Sequence, residues 1–173
     1  MVVKAQKSFF IASTSLFSAA GLLIVFVGPL IKSVSGGLPG GWVILPLFIT
    51  YLEILSHLKK VYPLLVGGIV GLIAMWFPMM GGMGPISLLV GFSAGICAYF
   101  FDFNSFYSLK LLFSSLFVII IVVLYFGLLN RLDLLKVVLI LTSLSSLTVS
   151  FILKSSREKI IKMIKKEYKE RLQ

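Results

Sequence analysis

The sequence predicts an all-α, polytopic membrane protein: six transmembrane helices followed by a C-terminal basic amphipathic helix. Three observations predict it. Hydrophobic residues fill 59% of the 173 positions and charged residues only 13%, where a soluble domain carries about a quarter charged. The mean hydropathy is +1.09. Apolar runs of about 20 residues, long enough to cross a bilayer as a helix, recur along the chain.

The six expected spans are residues 8–31, 42–58, 61–78, 86–102, 109–129 and 134–153. The first runs unbroken from Phe9 to Leu30 between Lys7 and Lys32. It is longer than a signal-peptide core and has no small-x-small cleavage site before a polar mature chain, so it reads as a retained span. The second opens at Trp42 and stops at "HLKK". The third begins at Val61-Tyr62-Pro63 and ends at "WFPMM". The fourth follows Gly84-Pro85 and ends at "FFDFN". The fifth, "LLFSSLFVIIIVVLYFGLL", is the most uniform, and the sixth carries the hydroxyl ladder "LTSLSSLTVS". Residues 1–153 thus form the membrane domain and residues 154–173 a cytoplasmic tail.

In that tail Ile160, Ile161, Ile164 and Tyr168 fall at helical spacing, with Lys and Arg on the other face. The pattern predicts a basic amphipathic helix in the headgroup plane, either an orientation anchor or a dock for a cytoplasmic subunit. The net charge is +10, and eight of the sixteen Lys and Arg residues lie between Lys154 and Arg171. A basic tail beside a span points to anionic lipid headgroups as partner, not to nucleic acid. Counted by loop, thirteen basic residues fall on the side of the termini and three (Lys32, Arg131, Lys136) on the other. Positive charge marks the cytoplasmic side, so both termini are expected in the cytoplasm of a multi-pass cell-membrane protein.

Few residues carry chemistry. The single cysteine, Cys97, and single histidine, His57, argue against an internal disulfide, a thiolate cluster and bis-histidine haem, and no metal or other cofactor is predicted. Walker A, HExxH, nucleophile-elbow and CxxCH motifs are missing, so no catalytic residue is assigned and no enzyme expected. Glu53 is the one acid well inside a span. A carboxylate there faces the protein interior, pairs or is neutral. His57 lies four residues on, on the same helical face, and Lys60 just beyond. A structural pair and a coupling role both fit. Asp102 can pair with Lys110, and Asn130, Arg131 and Asp133 form a polar cluster on the outer side.

Gly67 and Gly71, and again Gly91 and Gly95, make GxxxG patterns that let helix backbones approach. The first span offers Ser15-xxx-Ala19, with Ala12, Ser18 and Gly21 nearby, for packing or for a helix of another membrane subunit. The outer loops "KSVSGGLPGG" and "PMMGGMGP" are glycine-rich, and Trp42 and Trp76 border them. Each tryptophan suits an interfacial anchor or the wall of an apolar pocket. The loops read as joints or as a lid.

In layout the chain resembles the substrate-binding S-components of energy-coupling factor transporters. The resemblance runs through "ASTSLFSAAG", the loops "SVSGGLPGG" and "MMGGMGP", and the glycine-rich "LLVGGIVGLIAM" and "ISLLVGFSAGICAYFF". In the first helix Leu16, not alanine, follows Ala12 by four. The resemblance implies six helices, cytoplasmic termini and a small-solute pocket near the outer face under the first and third outer loops, with partner subunits supplying the power. Carried onto this sequence, Trp42, Trp76, Asn130 and Arg131 are the solute-binding candidates, and Gly36, Gly37, Gly40 and Gly41 the loop hinges. A non-catalytic accessory subunit of a larger respiratory or translocation assembly explains the apolar fifth span, the GxxxG faces and the basic tail equally well.

Overall fold

The computed structural model describes residues 2–34, 40–76, 84–101, 106–127 and 132–170. All of its regular structure there is helical: α1 (Val2–Val34), α2 (Gly40–Ser56), α3 (Tyr62–Trp76), α4 (Ile86–Phe100), α5 (Tyr107–Tyr125) and α6 (Leu132–Glu170). Three segments are long and apolar enough to cross a membrane: Ser8–Leu30, Tyr107–Tyr125 and Leu135–Met163. The helical parts of α2, α3 and α4 are shorter, at 17, 15 and 15 residues. A helix of that length covers only about 23–26 Å, less than the ~30 Å of a hydrocarbon core.

Local chemistry explains the helix ends. Tyr62-Pro63 starts α3 where a missing proline N–H costs nothing. Gly127 follows α5 in the left-handed region (φ 61°), and its N–H reaches the Leu124 carbonyl at 3.2 Å, the usual way for a helix to stop. Inside the helices, hydroxyls return to their own backbone: Thr14 donates to Phe10, Ser18 to Thr14, Ser115 to Leu111 and Ser146 to Thr142, all at 2.8–2.9 Å. These four hydroxyls are thereby satisfied without water.

The sixth helix differs from the expectation. It does not end near Leu153 but runs unbroken for 39 residues. The composition changes at Lys154, yet "LKSSREK" contains neither glycine nor proline, so nothing there interrupts the backbone ladder. The basic tail is therefore the continuation of α6.

Among the described residues α2 touches each of the other five helices, and Ile49, Leu52 and Glu53 on it are almost completely buried. Neighbours in sequence run antiparallel, while α1 lies parallel to α3 and α2 parallel to α6. The pairs Ser13–Tyr62 and Gly21–Val70 set the first parallel register, and Glu53–Arg157 the second. On α3 and α4 the four glycines meet backbone to backbone. A methyl group on Gly71 would lie 2.6 Å from the Ser87 carbonyl oxygen and one on Gly95 2.6 Å from that of Pro63, while Gly67 and Gly91 each press on the other's carbonyl.

These registers give the bundle two unlike ends. At the basic end, which holds Lys59, Lys60 and the tail of α6, α6 projects past the other chain turns. At the far end the helices are unequal in height. From the contacts of Gly21 with Phe48 and Tyr51, of Thr50 with Tyr107 and of Glu53 with Arg157, the described ends of α1, α5 and α6 lie about 5, 12 and 18 Å above the first residue of α2. Among the described residues, the far ends of α2, α3 and α4 thus lie lower than those of α1, α5 and α6.

Candidate functional site

The strongest concentration of polar chemistry lies toward the basic end of α2. The neighbours of Glu53 on that helix are apolar, which draws α2 to the centre of the bundle and takes the acid with it; Glu53 is 1% exposed. A carboxylate so placed needs donors, and three reach it. Arg157 Nε donates to Oε2 at 2.8 Å, and Arg157 Nη2 donates to Oε1. His57 Nε2 donates to Oε1 at 2.8 Å. The fork of the guanidinium matches the two carboxylate oxygens, a fit that lysine cannot reproduce.

Arg157 is itself held. It is 5% exposed, and its guanidinium carbon lies 4.9 Å from the centre of the Tyr107 ring. The Tyr107 hydroxyl is 2.8 Å from the Thr50 hydroxyl, which donates to the Pro46 carbonyl at 2.8 Å. Phe106, just before Tyr107, has φ 54° and ψ 43°, a conformation costly for a bulky residue. It sets the ring of Tyr107 at the first turn of α5. The Ser150 hydroxyl donates to that of Ser108 at 2.6 Å and fixes α6 on α5 nearby. The cluster therefore ties α2, α5 and α6 together, with every oxygen of the acid engaged. A second polar knot, Ser13–Tyr62 at 3.0 Å, joins α1 to α3 beside the stacked rings of Phe10 and Tyr62.

Of the residues singled out in the sequence, Glu53 and His57 make direct contact, as their spacing allows. Lys60 is not the acid's cation: the tie comes from Arg157, 104 positions away in the basic tail. A signal was present. Arg157 stands three and four residues before Ile160 and Ile161, on the apolar face of the tail, whereas Lys159, Lys162 and Lys166 lie on the opposite one. Gly67, Gly71, Gly91 and Gly95 come together as the α3–α4 contact. Trp76 is 72% exposed. Gly40 and Gly41 stand in the first turn of α2 rather than in a loop. Gly36, Gly37, Asn130, Arg131, Asp102 and the indole of Trp42 lie outside the described residues and side chains. Among the described residues no three His, Cys, Asp or Glu side chains converge as a metal site would require.

No family model, curated protein or solved structure matches the chain.

Proposed function

We propose that the chain is a non-enzymatic, multi-pass protein of the cell membrane, with all six helices in the bilayer and both termini cytoplasmic. In this reading it binds a small solute near the outer face as a component of a transport complex. The observation that carries the reading is the unequal height of the helices. Opposite the basic end, the described ends of the short α2, α3 and α4 lie lower than those of α1, α5 and α6, and in this reading the solute site lies among them. Clefts at helix ends suit a small ligand, and the resemblance in layout to S-components of energy-coupling factor transporters points the same way. Membrane residence is supported by the surface: Leu23, Leu72, Phe92, Phe117 and Leu144 are about half exposed or more, on five different helices. So wide an apolar belt suits lipid and not water. A partner helix is supported by Ser8, Ala12, Ser15 and Ala19, which share an exposed face of α1 and permit close approach.

A second reading, an accessory subunit of a larger membrane assembly, is favoured by the exposure of Trp76, which a solute pocket would bury. Purification from native membranes, with identification of what accompanies the chain, separates the two. ATPase subunits, lost when Ser15→Trp blocks the α1 face, are the expected companions. Redox or translocation subunits in their place refute the transport reading.

A further inference from the structure

The outward face of α6 changes character along its length. Going down the helix, Ile140, Leu144, Leu147 and Phe151 lie on one exposed stripe, Phe151 at 86%. Within one turn the same stripe becomes Lys154 and Ser155, then Glu158, Lys159, Lys162 and Lys166, all exposed. Phe151, Lys154, Ser155, Glu158, Lys159 and Lys162 line a shallow open groove. Glu158 is its one acid. The ion pairs among the described residues are those of Glu53 with His57 and Arg157, so none of them engages the groove's lysines. An apolar stripe turning cationic on one face, with no change of helix, marks a passage from hydrocarbon into headgroups.

Arg157 points the other way, into Glu53, and Ile161 is buried beside it. With that side of α6 pinned to α2, the helix cannot rotate, and the lysines must face away from the bundle. From Phe151 to Lys162 the groove spans about 16 Å along the axis, enough to carry the ring in the acyl region and the ammonium groups at phosphate depth. We propose that this groove binds the headgroup phosphate of anionic phospholipids, and that the Glu53–Arg157 pair is the positioning device that aims it. This deepens the membrane reading above and rests on it.

The test uses the full-length protein in detergent micelles, with lipid retention read by native mass spectrometry against phosphatidylglycerol and phosphatidylcholine. At low salt, phosphatidylglycerol is expected to be retained at least tenfold better, since each lysine near the surface favours an anionic lipid by about fivefold, and the preference is expected to shrink as salt rises. The triple variant Lys154→Gln, Lys159→Gln, Lys162→Gln is expected to lose it, while Lys136→Gln, near the far end of α6, keeps it. The pair-free variant Glu53→Leu, Arg157→Met is expected to fold and show a several-fold weaker preference. Equal retention of the two lipids, or an unchanged preference in the triple variant, overturns the site. Full preference in the pair-free variant overturns the positioning role. Displacement of phosphatidylglycerol by millimolar inorganic phosphate overturns the lipid as the source of the anion. A chain released into the aqueous phase by alkaline carbonate overturns the membrane reading as well, whereas a membrane-integral chain without lipid preference overturns this proposal alone.

Discussion

Replacing Arg157 with alanine isolates the cost of the buried acid. The substitution removes two charge-assisted hydrogen bonds to Glu53 and the guanidinium over the Tyr107 ring, and leaves a carboxylate that is 1% exposed. Breaking a buried pair by deleting one partner costs about 3–5 kcal/mol, and the lost ring contact adds about 0.5–1 kcal/mol. His57 still donates to Oε1, so the expected loss sits near the lower bound, at about 3–4 kcal/mol. The variant Glu53→Leu, Arg157→Met removes both charges at similar volume and is expected to unfold within about 1 kcal/mol of the parent, on either side. Both are measured by titrating the purified protein in mixed micelles with dodecyl sulfate and following helicity by circular dichroism. The reasoning is refuted if Arg157→Ala costs less than about 1 kcal/mol, or if the double variant is as unstable as the single one.

Two further substitutions probe the helix contacts in the same titration. Gly67→Ala drives a methyl group onto the Gly91 carbonyl and is expected to cost about 1–3 kcal/mol, whereas Gly68→Ala meets only the edge of the Phe92 ring at 3.3 Å and is expected to cost less than half as much; equal losses would contradict the backbone contact. Phe106→Asn is expected to stabilise the fold by several tenths of a kcal/mol, because asparagine tolerates the left-handed conformation and the 79% exposed ring gives up little packing; a loss would show that the ring is held by contacts of its own.

Local features were legible in the sequence, and features that depend on a distant partner were not. Glu53 and His57 pair within one helix, so a spacing of four was enough. Arg157 reaches Glu53 across 104 positions, and its place on the apolar face of the tail was the only sign that it turns inward. The two GxxxG patterns stood out as surfaces for close approach, but a glycine has no side chain to name its partner, and only the antiparallel register of α3 and α4 brings Gly67 onto Gly91. The change of composition at Lys154 suggested a separate tail. Composition, however, sets what surrounds a helix, whereas glycine and proline decide where it stops; α6 has neither at that point, and Ser155, Ser156 and Glu158, whose spacing suits a cap for a new helix, lie inside the continuous one. The helices themselves were visible as apolar runs, and the second, third and fourth were already the shortest of them; the length that was not visible is that of the sixth, which runs on for 39 residues.

The union of Glu53 with Arg157 also has a direction in time. A ribosome delivers residues in order, and the acid on α2 leaves it 104 residues ahead of its cation. Throughout the synthesis of α3, α4, α5 and most of α6, Glu53 has only His57 within its own helix to answer it. The bundle can close around the carboxylate only after the last helix has passed well beyond its apolar stretch. The stretch of α6 around Arg157 thus acts as the keystone of assembly, and a nascent protein cut short before residue 157 would carry an acid without its arginine partner.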